Sequence, residues 1–135
     1  MVRVLVVDSS KPWVSFVNEF LGKESHVQIV GMAMDGPEVI AQARILRPDL
    51  VLMEISLPTL SGFETAEQII ALVPRTKLIF ASIHREPLVV RAAFAVEGRG
   101  YATKSDAGRE LSRLKQLLRV SGLLVEGWKV GSRLQ

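Results

Sequence analysis

Two kinds of apolar run alternate along this chain. Val2 to Val7 is a nearly continuous stretch of valine and leucine, the pattern of a strand covered on both faces, and Asp8, Ser9 and Ser10 end it. After Pro12 the spacing changes. Trp13, Phe16, Val17, Phe20 and Leu21 recur at helical intervals until Gly22 stops them, which predicts a helix that sends Trp13 and Phe16 to the core. The alternation then repeats, with strands over Val27–Ala33, Leu50–Ile55, Leu78–Ser82 and Gly100–Thr103. Helices fall between and after them, over Pro37–Leu46, Gly62–Val73, Leu88–Val96 and Ala107–Val120. Five strands alternating with five helices across short turns predict a doubly wound α/β domain: a five-stranded parallel sheet with helices on both faces, in three layers. That domain takes residues 1–120. Residues 121–135 are too short to bury a core; the tail is expected to pack on the domain or lead toward a further segment, with Trp128 and Leu134 capping the core or meeting another chain.

Composition narrows the function classes. At 135 residues the chain is long enough to bury one core unaided. It has no cysteine, which removes disulfide frameworks, thiolate zinc sites and cysteine nucleophiles. The two histidines, His26 and His84, are too few for a histidine-rich metal site. Hydrophobic residues are 48% of the chain, but they fall in short runs far below the ~18 consecutive apolar residues of a membrane span. No leader pattern precedes the first strand, so a soluble, cytoplasmic protein is expected. The charge of +3, from 17 Lys and Arg against 14 Asp and Glu, is spread along the chain and reads as a solvated surface, not as a nucleic-acid footprint.

A parallel sheet of this kind gathers its chemistry beyond the carboxyl ends of its strands, near the point where strand order reverses. The residues there are Asp8, Glu54, Ser82 and Lys104. Singly each is a common turn residue. Together, Asp8-Ser9, the run Pro48 to Pro58 containing Glu54-Ile55-Ser56 with Gly62 after it, Ser82, and Gly100-Tyr101-Ala102-Thr103-Lys104 closely resemble the receiver domains of bacterial response regulators, over about residues 2–120.

That resemblance implies a flavodoxin-like fold and a role in two-component signalling, as an interaction module and not an enzyme. In the family the position of Glu54 is an aspartate that attacks phosphorus to form an acyl phosphate. Here the extra methylene moves the carboxylate outward by ~1.5 Å, and a misplacement of ~1 Å is able to cost ~100-fold in an in-line reaction. The family also places two adjacent acids after the first strand to hold a divalent ion; only Asp8 remains, followed by Ser9. No cofactor is required on this reading, and magnesium would bind weakly through Asp8, Glu54 and the Ser56 carbonyl. Ser82 matches the hydroxyl that hydrogen-bonds the phosphoryl group, Tyr101 the aromatic that reports occupancy, and Lys104 the pocket ammonium. Ser105 stands where many relatives have proline after that lysine. The longer Glu54 is expected to reach Lys104 and Ser82, imitate an acyl phosphate in part, and bias Tyr101 toward one signalling state.

Two other classes bear on the same residues. One is a working phosphoacceptor, with Asp8 or Glu54 taking the group from a histidine kinase or a small phosphodonor, as the N-terminal part of a DNA-binding regulator. The other is a nucleotide- or flavin-binding module, which the turn Asp8-Ser9-Ser10-Lys11-Pro12 argues against because it lacks phosphate-cradling glycines. His84 reads as an ordinary exposed loop residue. Arg85, Val90, Arg91, Phe94 and Arg99, with Lys104, are expected to mark a partner surface along the fourth helix and fifth strand, where a signalling partner or a second copy docks weakly.

Overall fold

A computed structural model describes residues 1–121. The elements follow in the order β1 (Val2–Val7), α1 (Lys11–Gly22), β2 (Val27–Ala33), α2 (Gly36–Leu46), β3 (Leu50–Met53), α3 (Gly62–Leu72), β4 (Lys77–Ser82), α4 (Pro87–Ala95), β5 (Gly100–Thr103) and α5 (Ala107–Ser121). A single 3-10 turn, Lys104–Asp106, joins β5 to α5. The helices start where the side chains can satisfy their free amides. Ser10 caps α1 with Pro12 in its first turn, Asp35 accepts from the Glu38 amide at the head of α2, and Ser61 and Glu64 form a reciprocal capping box on α3. Arg47 closes α2 in the left-handed region at φ 47°, and Pro48 prevents the helix from continuing.

All five strands pair in parallel in the order β2-β1-β3-β4-β5. Consecutive strands therefore depart from β1 in opposite directions, and a crevice opens between the ends of β1 and β3. The register places Val7 beside Met53, so the next residues, Asp8 and Glu54, emerge together at that crevice. Beneath them Val4, Leu5, Val6, Val51, Leu52, Met53, Ile79 and Phe80 are fully buried under both helical layers. The site thus stands on a fully buried part of the sheet, and the register holds its first-strand and third-strand components side by side.

Three expectations need correction. The third strand ends at Met53, not Ile55, because the Ile55 and Ser56 amides turn back to the Glu54 carboxylate and leave the ladder. Phe16 does not enter the core: it is 37% exposed, and Trp13 is half-buried at its edge, so the inward stripe of α1 is Val17 and Leu21. Val90 is not a surface residue; at 5% exposure it faces inward with Ala93, and the apolar side chains that α4 and the loop before it expose are Leu88 and Ile83. Trp128, Leu134 and the expected course of the tail lie outside the described residues.

Candidate functional site

The turn after β1 fixes the first carboxylate. Asp8 is 2% exposed, and its Oδ1 accepts the Ser10 amide at 2.9 Å, a local turn that aims the other oxygen across the crevice. Glu54 follows β3. Its own amide donates to the Val7 carbonyl at 3.0 Å, and its Oε2 accepts the Ile55 amide at 2.6 Å and the Ser56 amide at 3.1 Å. These bonds fold the side chain back over the start of the β3–α3 loop and fix where the second oxygen points. Gly62 makes that loop possible: a Cβ there would meet the Glu54 carbonyl oxygen and the Ile55 Cα.

Lys104, at the end of β5, joins the two acids. Its Nζ lies 2.7 Å from Asp8 Oδ2 and 2.8 Å from Glu54 Oε1, and its side chain is only 15% exposed. Its third neighbour is the Trp13 indole, whose ring centroid is 5.0 Å from the ammonium. Lys104 therefore points into the pocket and is not part of a basic face along α4 and β5. Burial alone would favour the neutral amine, but the Asp8 and Glu54 carboxylates outweigh it and hold the Lys104 pKa above its ordinary value. Burial likewise opposes ionisation of Glu54, yet hydrogen bonds from Lys104, the Ser82 hydroxyl and the Ser56 amide prevail and hold its carboxyl below the usual range. Both partners are charged at neutral pH.

The far wall comes from β4 and β5. Ser82 is fully buried, hydrogen-bonds the Glu54 carboxylate, and accepts the His84 amide at 3.4 Å. Tyr101 is also fully buried; its hydroxyl donates to the His84 carbonyl at 2.7 Å. Burial pushes the phenol up to about 12, with the negative charges of Glu54 and Glu86 adding to the effect and its polar contact with the Ser82 hydroxyl opposing it. His84 is more engaged than its loop position suggests. It is half-buried, with Nε2 3.3 Å from Ser56 Oγ and Nδ1 3.4 Å from Glu86, so it spans the two loops that frame the pocket mouth.

Asp8, Glu54, Ser82, Tyr101 and Lys104 thus converge as their spacing suggests, and Ser56 lines the same mouth. Arg85, Arg91, Phe94 and Arg99 lie apart, on and beside α4, with Arg85 and Arg91 exposed and Phe94 packed partly on the core. Sequence reasoning missed Trp13 as a pocket residue; a tryptophan three residues after the capping Ser10 was the signal available. Among the described residues no group of three acidic or imidazole side chains is placed to hold a metal. The two carboxylates present share an ammonium within 2.8 Å, so a divalent ion would compete with Lys104 for both donors. No helix of the described residues is long and apolar enough to cross a membrane.

A flavodoxin-like sheet with an acid, a hydroxyl and a lysine gathered at its strand ends defines a class, and the sequence agrees. Residues 4–119 match the response regulator receiver domain, and the chain belongs to that family. Among curated proteins it is 34% identical over 120 residues to protein-glutamate methylesterase/protein-glutamine glutaminase 2 of Pseudomonas fluorescens, covering 87% of this chain and 32% of that one. It is 37% identical over 103 residues to the similarly named protein of Methanospirillum hungatei, covering 76% and 29%. The chain thus spans about a third of the length of these relatives. Among solved structures it resembles the response regulator domain of Thermotoga maritima CheB, at a TM-score of 0.79 and 26% identity, over 90% of this chain and 98% of that one. The isolated REC domain of RcsB from Salmonella enterica shares the fold at a TM-score of 0.87 and 18% identity, covering 98% and 97%.

Proposed function

We propose that this chain is an atypical receiver domain that holds one signalling state through a fixed ionic bridge instead of a reversible phosphoryl group. Glu54 stands in the place of the phosphoacceptor aspartate. The observation that carries the reading is the double contact of Lys104, 2.7 Å from Asp8 and 2.8 Å from Glu54. Glu54 has all of its local hydrogen-bonding capacity engaged: Oε2 accepts two backbone amides, and the carboxylate is further bound by Lys104 and Ser82. A carboxylate so held is a poor nucleophile, since attack on phosphorus would first have to release it. Its charge, meeting Ser82 and Lys104, takes up part of the interactions that an acyl phosphate would make there.

In this reading the domain itself is no enzyme, needs no cofactor, and binds magnesium weakly at most, because the ion would have to displace the ammonium from Asp8 and Glu54. Its partners are a histidine kinase or another signalling protein. Exposed Ile83 and Leu88 beside Arg85 and Arg91 offer a face for such a partner or for weak pairing of two copies. The methylesterase activity in the relatives' names concerns proteins about three times as long.

The test compares the wild type with Glu54→Gln by NMR of the Tyr101 ring and of the α4 amides. Neutralising Glu54 removes one of the two charges on Lys104, so the Tyr101 and His84 signals shift and the α4 amides change with them. Identical Tyr101 signals in the two proteins would defeat the reading.

A further inference from the structure

Lys104 is gripped from the side that the acids leave open. Trp13 begins the second half of the first turn of α1, its amide donating to Ser10 Oγ at 3.4 Å, while the Ser10 amide donates to Asp8 Oδ1. One short turn therefore sets both the carboxylate and the indole that Lys104 meets. The indole is in turn held from behind. Phe16 tilts against it at a centroid distance of 5.8 Å, and Phe20 tilts against Phe16 at 5.5 Å, which leaves the Trp13 ring few rotamers that keep these contacts. The far end of this ladder repeats the motif, with Lys115 Nζ 4.2 Å from the Phe20 centroid and 3.4 Å from Glu24. An exposed Phe16 makes little sense as core, but it makes sense as the brace of a ring whose face is in use.

We infer that Trp13 is a positioning residue for Lys104: its π face stabilises the ammonium and keeps it seated between Asp8 and Glu54. A ring face attracts a cation most where water is excluded, and Lys104 is 15% exposed. The two carboxylates supply the larger attraction, but both lie on the strand side; without the indole the long, flexible stem has no wall on the α1 side. The inference rests on the proposed function only in taking the Lys104 bridge as the resting state of the pocket.

The test is competitive amine labelling of the full chain across alkaline pH, read by peptide mass at Lys104 and at exposed Lys23, without phosphodonor or magnesium. Replacing the ring by bulk, Trp13→Leu, is expected to lower the Lys104 labelling midpoint by up to about one pH unit, a roughly tenfold gain in reactivity below it, and to leave Lys23 unchanged. Trp13→Phe, which keeps a π face, recovers most of the shift. A wall that merely blocked access would raise the rate without moving the midpoint, and that result overturns the inference, as does an unchanged profile in a folded Leu variant. Should the Leu variant not fold, Trp13 emission in a Trp128→Phe background decides: it must change through the Lys104 titration and lose that change in Lys104→Met. If the wild type gains a phosphoryl group while the Leu variant still shifts the midpoint, the functional reading falls and the role of Trp13 stands.

Discussion

Replacing Glu54 with glutamine isolates one charge at nearly constant shape. At 2.8 Å and an effective dielectric near 20, the gross attraction between Lys104 and Glu54 is about 6 kcal/mol. Most of that is offset, since two ions with 15% and 8% exposure have lost much of their hydration. Glutamine keeps an oxygen for Lys104 or for the Ile55 and Ser56 amides, and Asp8 still neutralises the ammonium. The net loss is then that of one buried charge-assisted hydrogen bond, about 2 kcal/mol at neutral pH. The pH dependence is the sharper signature. Glu54 is held below the usual carboxylate range, so its contribution is present above the unfolded value of ~4.3 and is lost as pH falls through the lower folded value. Urea unfolding of both proteins from pH 7 to pH 3 is expected to show a gap of about 2 kcal/mol that narrows below pH ~4. Equal stability at pH 7, or a gap that persists undiminished at pH 3, would refute the claim that the ionised carboxylate holds the pocket.

Other consequences follow from the same geometry. The Tyr101 phenol, pushed up to about 12 from a usual value near 10, adds stability that is whole below pH ~10 and is lost as pH rises through 12, worth about 3 kcal/mol at ~1.4 kcal/mol per pH unit. In alkaline unfolding series Tyr101→Phe should flatten that limb, leaving the part that raised Lys104 contributes. Gly62→Ala drives a methyl into the Glu54 carbonyl and the Ile55 Cα, and is expected to cost about 1–3 kcal/mol by urea denaturation while shifting the Glu54 and Ser56 amide signals. Phe16→Ala should cost roughly 1 kcal/mol, since the ring is more than a third exposed, whereas Leu114→Ala, in the buried core of α5, should cost about 2–5 kcal/mol; comparable losses would contradict the placement of α1. Leu88→Asp should abolish any concentration-dependent growth in sedimentation mass, and growth that survives it places the pairing face elsewhere.

Much of this architecture was legible because few alternatives fit the pattern. Val2–Val7 and Gly100–Thr103 match their predicted strands residue for residue: the first is a valine and leucine run broken only by Arg3 and ended by Asp8, the second a short Gly-Tyr-Ala-Thr segment ended by Lys104. The pocket was legible for a related reason: in a parallel sheet every strand delivers its last residue to the same edge, so Asp8, Glu54, Ser82 and Lys104 had to meet. What stayed hidden depended on side-chain direction. Glu54 ended β3 early by drawing the Ile55 and Ser56 amides to its own carboxylate, a competition that strand propensity does not register. Helical spacing could not tell Phe16 from Val17, one residue apart on a helix with aromatics at its margin. Nor could it foresee Trp13 over Lys104, a contact between residues 91 positions apart in sequence. His84 looked like a free loop residue because its partners, Ser56 and the Tyr101 hydroxyl, come from other loops and strands.

The claim on which the rest depends is that this pocket works by a standing charge bridge and not by covalent modification. The mass of the intact protein after incubation with acetyl phosphate and magnesium tests it directly, with Glu54→Asp treated in parallel as the variant that, on the proposed reading, supplies the shorter phosphoacceptor carboxylate. The wild type should keep its mass while the Asp variant gains one hydroxylamine-labile phosphoryl group. A wild type that takes up the phosphoryl group as readily as the variant would contradict the account.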